Sequence, residues 1–133
     1  MASQNVTDPR LGPRTLDLMA QGLSAQQAVD TVTAEAPHIA YRQILAIGRD
    51  GPPAIFSGPN SLGIWSDAAG SDVISAGNLL AHAEVPQAIV DGFDAAAGDP
   101  IGDRRSATFH YLLTGHDCSL PTTHRRSIGI VHI

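Results

Sequence analysis

The spacing of the apolar residues changes along this chain from a helical to a strand-like period, and this change constrains the fold more than any other feature. Before residue 37 the apolar positions recur every three or four residues. From Tyr41 onwards, short β-type runs bounded by glycine and proline replace them. This order predicts helices first and antiparallel strands after them, in a fold of the α+β class.

Two helices are predicted in the first part of the chain. Pro13 suits the first position of one helix, whose apolar face carries Leu16 and Met19. Ser24, with Gln27 three residues later, forms a capping-box pattern for the second helix. That second helix is expected to bury Ala25, Ala28, Val29 and Val32.

Three strands and a third helix are predicted after them. Residues 41–48 have β-type content, residues 49–51 form a hairpin turn signal, and residues 54–57 return as the second strand. Residues 72–80 are predicted to be a strand that runs into a corner. A third helix is expected to begin at Val85, because apolar residues then recur at helical spacing.

The apolar faces of these elements define a predicted core. Phe56 and Trp65 are also interpreted as core residues rather than as platforms on which a ligand stacks. The residues expected to be buried together are Leu16, Met19, Val29, Ile44, Ala46, Ile74, Ile89 and Phe93.

The charge balance excludes some classes of function. The chain has a net charge of −5 and no lysine, which argues against nucleic acid as a partner. It contains no apolar run long enough to span a bilayer, and the N-terminal residues do not resemble a signal peptide, so a cytoplasmic protein is expected. Charged residues make up only 16% of the chain, which favours a surface covered by another segment or by a second subunit in a homo-oligomer.

The composition also divides the chain near residue 103. Residues 1–103 carry four arginines and twelve acidic residues, a net charge of −8, whereas residues 104–133 carry four arginines and one acid, a net charge of +3. We therefore expect a domain over 1–103 and a divergent, weakly packed tail over 104–133, although residues 107–113 and 127–133 could form strands.

Four residues of this tail are of types that can bind zinc. Their spacing, H-x5-H-x-C-x5-H, differs from compact structural zinc sites, so we predict incidental histidines and no metal. The four residues are His110, His116, Cys118 and His124.

Four stretches of the sequence together resemble one bacterial family. They are ASQNVTDPRLGPRTLDLMAQGLSAQQAVD, APHIAYRQILAIGRDG, AIFSGPNSLG and SAGNLLAHAEVPQAIVDGFDAA, in the same order over roughly residues 2–97. The chain resembles the domain-of-unknown-function 1028 family, which is placed in the superfamily of N-terminal-nucleophile (Ntn) hydrolases. The resemblance implies a four-layer αββα sandwich, of which this chain would hold a part.

The same resemblance implies a chemistry. Intact relatives are implied to hydrolyse the C–N bond of a small-molecule amide without any cofactor, using a nucleophile at the start of a hairpin that precedes the first matched stretch. Because this chain starts where that hairpin would end, it is expected to lack the nucleophile and to be inactive. The alternatives from other classes are a binding or assembly module that pairs through exposed sheet edges, and a zinc-dependent function of the tail.

The resemblance points to five candidate site residues, each with a plainer alternative. Ser3 is the first hydroxyl that could act as a nucleophile, but it could also be an ordinary strand serine. Asn78 is an oxyanion-hole candidate after Gly77, or an asparagine in a left-handed corner. The candidates for binding a substrate amide or carboxylate are Gln4, Asn5 and Asp8, of which Asn5 and Asp8 could instead satisfy a local turn.

Two arginines are weaker candidates for binding a substrate carboxylate. Arg14 and Arg42 could play this part, and a solvated arginine is the ordinary explanation for both.

Overall fold

A computed structural model of the protein describes residues 1–100, 103 and 129–132. The described residues form three α-helices and six strands, and the strands pair in two antiparallel sheets. This combination confirms the α+β class. The elements are β1 (Ala2–Asn5), α1 (Leu11–Ala20), α2 (Ala25–Glu35), β2 (Arg42–Ala46), β3 (Ala54–Ser57), β4 (Ser66–Ala69), β5 (Ile74–Gly77), α3 (Val85–Ala95) and β6 (Gly129–His132).

The start of α2 is fixed by the predicted capping box. The Gln27 backbone N–H donates to Ser24 Oγ at 3.2 Å, and the Ser24 backbone N–H donates to Gln27 Oε1 at 2.9 Å. The two bonds satisfy donors that a helix end otherwise leaves unpaired. The side chains that α2 buries are those predicted: Ala25, Ala28, Val29 and Val32.

Helix α1 begins at Leu11, two residues before the predicted start, and the face that it buries differs from the predicted one. Its buried residues are Leu11 and Thr15. Leu16 lies five residues after Leu11, which places it about 140° away around the helix axis. The prediction of a buried Leu16 is therefore wrong, since its side chain is 50% exposed.

The first sheet has the order β1-β2-β3, with both pairs antiparallel. Ser3 lies opposite Ile44, and Gln4 lies opposite Gln43. On the other side of β2, Gln43 lies opposite Ser57. Because neighbouring side chains of a strand point to opposite faces, Gln4, Gln43 and Ser57 share one face, and Ser3 shares the other with Ile44.

The second sheet has the order β4-β5-β6, again antiparallel. Strand β6 comes from the region predicted to be a weakly packed tail. Residues Gly129–His132 pair with β5 along its whole length, from Ile74↔His132 to Gly77↔Gly129. The possibility of a strand within residues 127–133 is therefore confirmed for these four residues. Residues 107–113 lie outside the described residues.

The two sheets and the helices form four layers. Val29 and Val32 of α2 pack with Ile44 and Ala46 on one face of the first sheet. Leu45, Ile74 and Ala76 pack between the two sheets. Val73, Val90 and Phe93 pack between the second sheet and α3.

Most of the predicted core is confirmed by this arrangement. Met19 and Phe56 are partly buried and pack on the cluster under α1 and α2, and Trp65 is half-buried. The predicted residues that are fully buried are Val29, Ile44, Ala46, Ile74, Ile89 and Phe93. None of the helices in the described part of the chain has the length and apolar content that crossing a bilayer requires.

Candidate functional site

A cluster of side-chain amides lies between the two sheets, at the end of the sandwich where β1, β3 and β5 finish and β2 begins. We call this end the Asn78 end. Gln4 of β1 and Gln43 of β2 meet there, because their cross-strand register places both side chains on the face towards the second sheet. Gln4 Nε2 donates to Gln43 Oε1 at 2.8 Å and to the Ala76 carbonyl oxygen at 3.1 Å. The bond to Ala76, in β5, links the two sheets.

Gln43 is the centre of this amide cluster. Its side chain is fully buried. Oε1 accepts from Gln4 and from Asn78 Nδ2, the latter at 3.3 Å, while Nε2 donates to Ser57 Oγ at 3.0 Å and to the Gly77 carbonyl oxygen at 3.3 Å. Every donor and acceptor of the amide is thereby used. These hydrogen bonds offset the cost of removing the Gln43 amide from water, and they fix the orientation of the side chain.

Asn78 is the member of the cluster that reaches solvent. Its side chain is half-buried, and one amide hydrogen is directed to Gln43 Oε1. Among the described residues, its other amide hydrogen and its carbonyl oxygen have no protein partner. The sequence analysis identified this residue, but the alternative of a left-handed corner is wrong for it. The left-handed backbone belongs to Leu79, at φ +53°.

Gly77 is required here by packing. A Cβ on Gly77 would lie 2.5 Å from Leu80 Cδ2, closer than such atoms approach. Leu80 is buried, so the space left by the glycine lets the chain after β5 fold back against the strand end.

Asn5 and Asp8 are occupied by hydrogen bonds within the protein. Asn5 has a left-handed backbone, at φ +65°, and its Nδ2 donates to the Tyr41 carbonyl oxygen at 2.6 Å. Asp8 Oδ1 accepts from the Arg10 backbone N–H at 3.0 Å and from Arg10 Nε at 2.9 Å, and Oδ2 accepts from Arg10 Nη2 at 2.8 Å. Asn5 therefore joins the end of β1 to the residue before β2, and Asp8 stabilises the turn between β1 and α1. Only Gln4 of the three predicted binding residues joins the amide cluster.

The electrostatic surroundings of Asp8 follow from these bonds. The hydrogen bonds from the Arg10 side chain, and then the one from its backbone, hold the pKa of the Asp8 carboxyl well below its usual range. The charge of Arg42 contributes a smaller effect in the same direction. Asp8 is thus a stable carboxylate that anchors the turn.

Ser3 is separated from the amide cluster by the first sheet. Its register opposite Ile44 turns its side chain towards α1 and α2, whereas Gln4 and Gln43 face the second sheet. Ser3 Oγ is buried and has no hydrogen-bond partner among the described residues. The structure therefore does not bring Ser3 and Asn78 together.

Arg14 and Arg42, the weaker candidates, make contacts within the protein that connect separate segments of the chain. Arg42 is buried, and it donates to the Val6 carbonyl oxygen at 2.7 Å and to the Pro37 carbonyl oxygen at 2.5 Å. Arg14 pairs with Glu35 across α1 and α2. A groove of about 240 Å³ runs between these helices, and its charged walls are Asp8, Arg10, Arg14 and Glu35, already paired with each other.

Sequence reasoning missed Gln43 and Ser57. The available signal was a glutamine inside the run Arg42–Ala46, all five residues of which are buried. A fully buried amide needs partners, so its presence predicts a polar contact across a sheet interface.

The four zinc candidates, His110, His116, Cys118 and His124, lie outside the described residues. Within the part of the chain that the structure describes, no three His, Cys, Asp or Glu side chains are grouped as metal ligands would be.

Comparison with known proteins gives a family and a structural relative. The model of a family described as "Family of unknown function (DUF1028)" matches residues 1–115. The crystal structure of protein SPO2555 from Silicibacter pomeroyi, also a DUF1028 protein, is similar with a TM-score of 0.75 and 26% sequence identity. The similarity covers 84% of this chain and 52% of that one, so the chain spans about half the length of this relative. No curated protein matches. The family match covers most of the sequence, and this chain therefore belongs to the DUF1028 family.

Proposed function

We propose that this chain is a hydrolase-like domain that binds a small molecule by its amide group at the Asn78 end and does not hydrolyse it. The observation that carries the proposal is the half-buried Asn78 amide. It is held by Gln43 and keeps one donor and one acceptor free of protein partners in the described region. A ligand amide offers the complementary acceptor and donor, so the two groups can pair through two hydrogen bonds.

The fixed orientation of the Asn78 side chain supports this proposal. Gln43 cannot rotate without losing four hydrogen bonds. Asn78 is consequently oriented before a ligand arrives, and preorganised groups lose less entropy on binding. A side-chain amide held in this way is also the kind of donor that stabilises an oxyanion in amide hydrolases.

The absence of hydrolysis is proposed from the chemistry of the amide cluster. Its side chains are amides and one hydroxyl, none of which is a general base near neutral pH. Ser3, the candidate nucleophile, faces the helices on the other side of the first sheet. Binding and orientation of an amide therefore have structural support in this region, whereas attack on it does not.

The proposal is tested by titrating the full chain, labelled with ¹⁵N, with acetamide and N-methylacetamide. We expect saturable shifts of the Asn78 and Gln43 side-chain signals, with a Kd on the order of 1 mM or weaker for ligands this small. Asn78→Leu should abolish the shifts. Asn60→Leu, which changes an exposed asparagine of the loop after β3, is the matched control and should retain them.

A second measurement tests the non-hydrolytic part. Release of p-nitroaniline from p-nitroacetanilide should equal the rate without protein. Turnover that Ser3→Ala abolishes would contradict the proposal and make this chain an active amidase.

A second candidate function, assembly through a sheet edge, is favoured by strand β1. β1 has β2 on one side and no strand on its other side among the described residues. Its sequence, ASQN, contains neither charge nor proline, the features that usually block pairing of edge strands. Sedimentation across a wide range of protein concentration tests this candidate. A mass that rises to that of a dimer supports it, and a constant monomer mass contradicts it.

A further inference from the structure

The exposed apolar side chains of this protein are concentrated at the Asn78 end. The described region has six large exposed hydrophobic residues, and only Leu16 lies in a helix away from this end. Val6 follows β1, Tyr41 precedes β2, and the other three flank β4 and β5. Single exposed apolar residues are ordinary, but a local group of them marks a binding surface. The five residues are Val6, Tyr41, Leu62, Ile64 and Leu79.

Three of these residues form one fixed surface, which we call the apolar rim: Leu62, Ile64 and Leu79. The Leu79 backbone N–H donates to the Leu62 carbonyl oxygen at 2.9 Å, and the next residue, Leu80, donates to the Ile64 carbonyl oxygen at 2.9 Å. These two bonds join the loop before β4 to the chain that leaves β5. The apolar rim is therefore held directly beside Asn78.

The backbone conformation of Leu79 and the exposure of its side chain are both energetically unfavourable. It has a left-handed backbone, which a leucine rarely adopts, and its side chain is 61% exposed. Gly63, itself at φ +66°, leaves room for this conformation, because a Cβ there would lie 2.9 Å from Leu79 Cδ2. Asparagine or glycine would adopt the same backbone more easily. A strained and exposed leucine next to a preoriented amide indicates a residue retained for binding.

The charge pattern around the apolar rim matches an uncharged ligand. Residues 51–66 and 73–83 contain no Asp, Glu, Lys or Arg, although the whole chain has a net charge of −5. A charged group seated here would find no partner on these segments, whereas a hydrocarbon group would bury apolar surface against the leucines and the isoleucine.

We infer that the apolar rim binds the hydrocarbon chain of an uncharged acyl amide whose amide group pairs with Asn78. This inference rests on the proposed function and names its ligand class: primary or N-alkyl amides with an extended apolar acyl chain. The amide cluster recognises the polar group, and the rim selects for chain length.

The test is a series of neutral amides titrated into the full chain: acetamide, butanamide and hexanamide, with hexanoate as the charged counterpart of hexanamide. Affinity is expected to rise about twofold to fourfold per added methylene, since each buries apolar surface. Hexanoate should bind at least about tenfold more weakly than hexanamide, because its carboxylate cannot donate to Asn78 and must be desolvated.

Variants separate the apolar rim from the amide cluster. Leu79→Asn removes the hydrocarbon and suits the left-handed backbone, so the fold is retained; far-UV circular dichroism checks this. It should abolish the dependence on chain length, so that hexanamide binds no more tightly than acetamide. Leu16→Gln, which changes the exposed leucine of α1, is the matched control and should preserve the full series.

The outcomes distinguish failure of the inference from failure of the proposed function. Equal affinity for acetamide and hexanamide, or an unchanged series in Leu79→Asn, overturns the inference while amide binding stands. Hexanoate binding as tightly as hexanamide shows that the amide is not recognised and overturns both. If the wild-type protein binds none of the amides, acetamide included, the proposed function itself is overturned.

Discussion

Gln43 Oε1 accepts a hydrogen bond from Asn78 Nδ2 at 3.3 Å, and this bond joins two sheets through residues 35 positions apart in the chain. Gln43 is fully buried and Asn78 is half-buried, so the pair connects the interior of the sandwich to its surface. A substitution of Gln43 should therefore change both the stability of the fold and the orientation of Asn78, the proposed binding residue.

Gln43→Met tests the structural part of this relationship. Methionine fills a similar volume but leaves the Gln4 amide and the Gly77 carbonyl with fewer partners in a buried region. We expect the free energy of unfolding to fall by about 2–3 kcal/mol, measured by urea denaturation. Gln26→Met is the matched control, because Gln26 is exposed on α2 and contacts only Asp30 through its side chain. The control should change stability by less than about 0.5 kcal/mol.

Ser3→Ala and Ser75→Ala test two buried hydroxyls. Neither Oγ has a hydrogen-bond partner in the described part of the chain. Each hydroxyl is therefore desolvated without compensation, and its removal should leave stability unchanged or raise it by about 1 kcal/mol. Thermal unfolding measures this, with Ser24→Ala as contrast, since loss of that helix cap should cost about 1 kcal/mol. A large loss of stability in Ser3→Ala would show that its hydroxyl has a partner.

Asp8→Asn tests the acid dependence of stability. The pKa of Asp8 is lowered from its ordinary value of 3.8 by Arg10. A lowered folded-state pKa gives stability that is complete above the unfolded-state pKa and is lost as the pH falls towards the folded-state pKa. The wild type should therefore be more stable than Asp8→Asn above about pH 5, and the difference should shrink steadily below about pH 4. Urea midpoints from pH 2 to 6 measure it, and Asp17→Asn controls for loss of one negative charge. A difference that stays constant across this range contradicts the assignment.

The sequence predicted those parts of the fold that local chemistry determines. Ser24 and Gln27 are three residues apart, and their capping bonds need no other part of the chain. Strand β4 was missed because its sequence, SDAA, contains no β-branched or aromatic residue. The burial of Leu16 was misjudged because the buried face of α1 carries Leu11 and the polar Thr15, which the spacing of apolar residues does not reveal.

The candidate site was predicted only in part for a related reason. Asn78 was identified because a Gly-Asn pair at a strand end has a local signature. The pairing of Asn78 with Gln43 depends on the register of β1 on β2 and on the packing of the two sheets, which are long-range features. The left-handed leucine after Asn78 contradicts the preference of its residue type, so no propensity would place it there.

Leu79→Asn gives the sharpest prediction, because stability and binding should change in opposite directions. The left-handed backbone at φ +53° costs a leucine about 1–2 kcal/mol, and asparagine tolerates it far better. The free energy of unfolding should therefore rise by about 1 kcal/mol while the advantage of hexanamide over acetamide disappears. His38→Asn is the matched control for strain alone, since His38 is also exposed and left-handed, at φ +57°, but lies before β2 outside the apolar rim. It should stabilise the protein by a smaller amount, since histidine adopts this region more readily than leucine, and leave the series of amides unchanged. If Leu79→Asn destabilises the protein instead, the leucine side chain is part of the folded core. The strain at this position would then be compensated by packing and not by a ligand.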